Sequence, residues 1–196
     1  MCLEHLNLSR NDLSSIRDWI FHLPSLNTLD INNNRLNGLW RDSPTCFNLK
    51  ILDASFNQLT DLPSSIRFLT NLNELDVYDN KLTHLPSSIG SLTNLNYLNV
   101  SDNQITHLPS SIGSLTNLNY LNVSNNQLTH LPSSIRSLTN LERFDITNNK
   151  FDARLQEPDL IDSFQPTQLL IDWNLYSDNG REIVAYAQEW SNGRAR

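Results

Sequence analysis

Apolar positions recur along this chain in a fixed frame of 23 residues. Leu3, Leu26, Leu49, Leu72, Leu95, Leu118 and Leu141 each open a unit. Apolar residues follow at +3 and +5, Asn at +8 and an apolar residue at +10. The third unit carries Leu52, Ala54, Asn57 and Leu59, and the fifth Leu98, Val100, Asn103 and Ile105. Alternation at +3 and +5 has a period of two, which predicts a short strand at the start of each unit. Every unit enters its strand in the same direction, so successive strands pair in parallel, about 4.8 Å apart. A period of this length specifies a solenoid, whose exposed strand face is a natural binding surface.

The Asn column is Asn11, Asn34, Asn57, Asn80, Asn103, Asn126 and Asn149. An amide both donates and accepts, so a buried Asn can satisfy backbone groups where each strand turns inward. The second half of the units beginning at Leu49, Leu72, Leu95 and Leu118 reads L-P-S-S-I-x-x-L. Ile66, Ile89, Ile112 and Ile135, then Leu69, Leu92, Leu115 and Leu138, fall three apart, which predicts a short helical or 3₁₀ turn on the outer face. Pro63, Pro86, Pro109 and Pro132 stand where that turn begins and a missing N–H costs little.

The motif LxxLxLxxNxLxxLPxxIxxL, in register from residue 3 to about 151, resembles the leucine-rich repeat family. Its 23-residue type is similar to repeats of intracellular Ras-suppressor-like scaffolds, Roco-type kinases and bacterial effectors. The resemblance implies an α/β horseshoe solenoid, with a parallel β-sheet on the concave face and short helical or 3₁₀ turns on the convex face. It also implies a non-catalytic protein-binding role.

Two regions depart from the frame. In the second unit, Ser43 and Cys46 stand where Ile66 and Leu69 stand one unit later, which predicts an irregular convex segment. The first unit keeps Ile16, Ile20 and Leu23 as core but lacks the Leu-Pro pair. After Phe151, the stretch Gln168–Asn174 restores the strand pattern two residues late. The expected organisation is seven repeats over 1–151, a capping strand and helix over 152–190, and a disordered tail over 191–196. Ile183, Val184, Ala187 and Trp190 give the capping helix its face. No N-terminal cap precedes the first strand, so the chain is expected to be a fragment, to be covered there by a weak dimer contact, or to be capped by its own atypical first repeat.

Net charge is −7, which argues against nucleic acid as partner. No apolar run approaches the length of a membrane span, and no signal peptide is visible at the N-terminus. The two cysteines, Cys2 and Cys46, form no paired-Cys cap, so a reducing, cytoplasmic compartment is expected, or the host cytosol for a bacterial effector. Cys46 is expected to pack as a small apolar residue. Sequons at Asn7, Asn99 and Asn122 fall out of the repeat and carry little weight.

The strand positions +2, +4 and +6 are expected to point away from the core, with +7 at the rim. Acids gather there in the middle units: Asp30, Asp53, Glu74, Asp76, Asp79 and Asp102. Phe56, Tyr78, Tyr97 and Tyr120 lie among them, with Arg143 one unit beyond. Stacked carboxylates repel one another, and a basic partner would relieve the repulsion. Exposed tyrosines often anchor interfaces. The alternatives are that strands favour Tyr and that Asp is solvated decoration. Residues 84–106 and 107–129 differ only at Asp102/Asn125 and Ile105/Leu128, so Tyr97 and Tyr120 can also be one tyrosine copied. The same copying accounts for His84, His107 and His130, whose other reading is metal ligation or pH sensing.

The sequence carries no glycine-rich phosphate loop and no Cys-His-Asp set, so no catalytic residues, cofactor or metal are assigned. The expected function is a protein-interaction module, in one version a bacterial effector or effector regulator. A regulator of small-GTPase signalling, the recognition arm of a larger enzyme, and an assembly rod are the other versions.

Overall fold

The computed structural model describes residues 2–40 and 43–151, together with the backbone of 168–170. Eight three-residue strands form one parallel sheet in sequential order. They are β1 His5–Asn7, β2 Thr28–Asp30, β3 Ile51–Asp53, β4 Glu74–Asp76, β5 Tyr97–Asn99, β6 Tyr120–Asn122, β7 Arg143–Asp145 and β8 Gln168–Leu170. Through β7 every pairing follows the 23-residue frame: Leu29 sits beside Leu52, Leu52 beside Leu75, Leu75 beside Leu98. β8 joins β7 with Gln168 beside Arg143, two positions late. The expected capping helix and tail lie outside the described residues.

Among the described residues, five 3₁₀ turns form the opposite side: η1 Asp18–His22, η2 Ser64–Phe68, η3 Ser87–Ser91, η4 Ser110–Ser114 and η5 Ser133–Ser137. In η2 to η5 the proline is the residue before the turn, with ψ near 142–147°, and its carbonyl accepts the Ile N–H three residues on at 2.9–3.0 Å. The isoleucine enters the core, the first serine of each pair is exposed, and the second is half-buried. The core is a continuous stack of leucines between sheet and turns, with Leu49, Leu72, Leu95 and Leu118 fully buried.

The Asn column joins the units. Asn103 Oδ1 accepts the N–H of Leu82, in the preceding unit, at 2.9 Å. Its Nδ2 faces the carbonyls of Val77, Val100 and Ser101 at 3.0–3.1 Å. Asn34, Asn57, Asn80, Asn126 and Asn149 repeat the pattern. A second amide ladder, not evident in the periodicity of apolar positions, runs at the residue before the opening leucine of the third to seventh units. Asn48, Asn71, Asn94, Asn117 and Asn140 each donate to a carbonyl 24 residues earlier, at 2.7–2.9 Å.

The atypical first and second units find their own packing. Leu23 is only half-buried, whereas Phe21, outside the expected frame, is fully buried. Its ring lies 4.7 Å from that of Trp40, whose indole N–H donates to Ser65 Oγ at 2.8 Å. The outer half of the second unit buries Trp40, Pro44 and Cys46, and no 3₁₀ turn is found in the described part of that segment. Cys46 is buried as expected, and burial pushes its thiol up to about 11.

Candidate functional site

The concave face is built from the +2, +4, +6 and +7 columns, and most of its polar residues have a backbone task. At +4, Asp53 Oδ1 accepts both the N–H and the hydroxyl of Ser55, at 3.0 and 2.6 Å. Asn99, Asn122 and Asp145 hold Ser101, Ser124 and Thr147 in the same way. These side-chain turns end each strand. The +6 serines Ser55, Ser101 and Ser124 are consequently buried, which corrects the expectation that this column points outward. The second oxygens of Asp30 and Asp53 are also engaged: Asn7 donates to Asp30 and Asn32 to Asp53, at 3.0 and 2.8 Å.

The +7 column has a different constraint. Arg10, Asn33, Phe56, Asp79, Asp102, Asn125 and Asn148 all have φ between 50 and 55°. In this left-handed region Asn and Asp are tolerated and bulky residues are outliers. Asn and Asp at +7 therefore serve the backbone. Phe56 does not fit that rule, and neither does Arg10.

Removing the residues that the frame explains leaves a small set. Phe56, exposed at 46%, meets Tyr78 edge-on, with ring centroids 4.8 Å apart at 88°. Tyr78 is itself the exception in a column of Ser, Thr and Asn. At +2, Tyr97 and Tyr120 stack at 4.5 Å and 9°, and the Arg143 guanidinium lies 5.4 Å from the Tyr120 ring. Asp76 bridges the two groups: one oxygen accepts the Tyr78 N–H at 2.9 Å, the other the Tyr97 hydroxyl at 3.4 Å. Glu74 is exposed beside Ile51 and Tyr97 in the sheet.

Electrostatics follow from this layout. Burial raises the Asp76 carboxyl above its ordinary range, against the Tyr78 N–H that lowers it, and stacked Asp53 raises it further. The Tyr78 phenol is raised chiefly by Asp102, then by desolvation, Asp79 and Asp76. Tyr97 is raised by burial and by Asp76. The Tyr78 end of the face is thus a region of negative potential. Elsewhere, His84, His107 and His130 are exposed, and each Nδ1 pairs with the hydroxyl of its own preceding threonine at 3.0 Å. Among the described residues no three His, Cys, Asp or Glu side chains converge to hold a metal. No helix among them is long and apolar enough to cross a membrane.

Family models described as leucine rich repeat match residues 2–43 and 47–105, and one described as leucine-rich repeat region matches 88–186. The chain belongs to the leucine-rich repeat family, whose domains generally mediate protein–protein interaction and are typically non-catalytic. A leucine-rich repeat protein of Leptospira interrogans is similar at 31% identity and a TM-score of 0.63, over 87% of this chain and 50% of that one. The plant peptide hormone receptor RGFR1, solved in complex with RGF2, is similar at 30% identity and a TM-score of 0.73, over 86% of this chain and 28% of the receptor. An internalin of Listeria monocytogenes, inlF, is similar at 26% identity and a TM-score of 0.70, over 86% of this chain and 48% of that one. The chain thus spans half or less of these relatives. No curated protein matches it at a significant level.

Proposed function

We propose that this chain is a non-catalytic protein-interaction module that holds a partner protein on its concave sheet face. Phe56, Tyr78, Tyr97 and Tyr120 are the contact anchors. Glu74, Asp79 and Asp102 favour a partner with a basic patch, and Arg143 closes the far end. Asp53 and Asp76 act one step back, by fixing the strand ends. The observation that carries this reading is Phe56: a large, exposed apolar side chain in a left-handed slot that the frame otherwise fills mostly with Asn or Asp. Such strain, of order 1–3 kcal/mol, is a signature of functional positions.

The proposed setting is the cytoplasm, with a bacterial effector or effector regulator in a host cell as one version and a small-GTPase scaffold as another. In a third version the same face is the recognition arm of a larger enzyme. The protein is proposed to be a monomer, or a weak dimer through the β1 end, without nucleic-acid or membrane partners. The test is capture from cytosolic lysate with mass spectrometry, comparing wild type with the Tyr78→Ala/Tyr97→Ala double variant. A protein held only by wild type supports the reading. Equal capture by both moves the site off this face.

A further inference from the structure

The two aromatic groups sit in opposite electrostatic surroundings. Tyr78 lies among Asp102, Asp79 and Asp76, whose charges, Asp102 first, raise the pKa of its phenol together with desolvation. Asp102 takes one amide hydrogen bond from Asn125 at 2.9 Å, and among the described residues neither Asp79 nor Asp102 forms an ion pair. Lys81, two residues beyond Asp79, donates to Gln58 instead. The Tyr97–Tyr120 stack ends on Arg143, which is exposed and in no ion pair among the described residues.

An aromatic face beside carboxylates suits a guanidinium or ammonium group. At the other end a second cation would meet Arg143, while a carboxylate could use its N–H fork. From β4 to β7 there are three inter-strand steps, about 14 Å, and from +6 back to +2 four residues, about 13 Å. The diagonal is roughly 19 Å, which an extended chain crosses in about six residues.

Resting on the concave-face reading above, we propose that the face selects an extended segment of defined charge polarity. A Lys or Arg side chain sits over Tyr78 beside Asp79 and Asp102. An Asp or Glu, about six residues away, pairs with Arg143. Uniformly basic segments lose the second contact and are repelled at the Arg143 end.

The test is selection of a displayed library of random ten-residue peptides on immobilised full-length chain. Sequences of peptides retained by wild type are compared with those retained by Arg143→Glu, Arg143→Gln and the Tyr78→Ala/Tyr97→Ala double variant. Wild type is expected to enrich peptides pairing a basic residue with an acidic one five to seven positions away. Arg143→Glu is expected to convert the acidic position to a basic one, and Arg143→Gln to lose only its preference. Individual peptides should show a change of about fivefold in Kd when the acidic residue is neutralised, the size of one exposed ion pair. If retained peptides show no charge pairing yet are lost by the tyrosine variant, the polarity is overturned and the face stands. If retention survives the tyrosine variant, or no peptide is retained, both are overturned.

Discussion

Removing one rung of the buried Asn ladder tests how the repeats are held together. Asn103→Ala deletes the acceptor of the Leu82 N–H and the donors to three carbonyls, at a position only 8% exposed. Leu82 is fully buried, so its N–H cannot turn to water, and a stranded buried donor costs about 1–3 kcal/mol. Val77 and Val100 lose their amide donors as well, at about 1 kcal/mol each. The expected total is about 3–5 kcal/mol, a large share of an ordinary domain stability of about 5–15 kcal/mol. Asn11 supplies the control. It is exposed, faces only the carbonyls of Leu8 and Ser9, and holds no N–H of an earlier unit. Asn11→Ala is expected to cost about 1 kcal/mol or less. Asn103→Asp keeps the acceptor but sets a carboxylate against carbonyl oxygens, so it should be no more stable than Asn103→Ala at pH 7. Urea unfolding followed by circular dichroism measures all three. Because solenoid stability is carried by neighbour interfaces, Asn103→Ala should also broaden the transition or split it between the fourth and fifth units. Equal losses for Asn103→Ala and Asn11→Ala, with an unchanged slope, would falsify the ladder argument.

Other expectations follow from single positions. Asp76 has a raised carboxyl pKa, so the folded state binds its proton more tightly than the unfolded chain, and stability falls as pH rises through that acid window. Asp76→Asn should remove this slope in pH-dependent melting while keeping an acceptor for the Tyr78 N–H; a slope that persists would assign it to another group. Gly90 stands where an added Cβ would lie 2.6 Å from the Ser111 carbonyl oxygen in the next unit, so Gly90→Ala should destabilise by about 1–3 kcal/mol although Ala is the better turn former. A neutral or stabilising result in urea unfolding would mean the 3₁₀ turns are not that closely stacked. Phe56→Asn should be more stable than Phe56→Ala by about 1 kcal/mol, because only Asn tolerates the left-handed φ; the reverse order would remove strain from the case for Phe56. In a thiol titration at neutral pH, exposed Cys2 should react at once and buried Cys46 only with unfolding; simultaneous reaction of both would contradict its burial.

The sheet was legible because each unit states its frame several times over, through leucines at three positions and one Asn. Even the late strand at Gln168 follows from the same pattern. Phe21 was not legible, since its core place rests on Trp40 and on the backbone of Thr45 and Cys46, contacts between two irregular segments. The face was half legible. Its aromatic residues stand out in the columns, but the backbone hydrogen bonds of Asp30, Asp53 and Asp76 do not. A column of Asn and Asp at +7 is the signature of left-handed residues, and D/N-x-S/T at +4 to +6 that of side-chain turns. By these signatures Asp53 and Asp76 belong mainly to the frame, and Phe56 and Tyr78 are the exceptions.

The near-identity of residues 84–106 and 107–129 has a consequence for how such a face can change. Each unit meets its neighbours through the same rungs, so recombination within the coding sequence can add or drop a whole unit without opening a seam. Loss of residues 107–129 would set Arg143 directly beside Tyr97, and one further copy would lengthen the tyrosine stack by a single strand spacing, about 4.8 Å. The reach between the acidic and basic ends is therefore heritable in discrete steps. A change of unit number thus changes the length of the face while leaving the side chains at its two ends as they are.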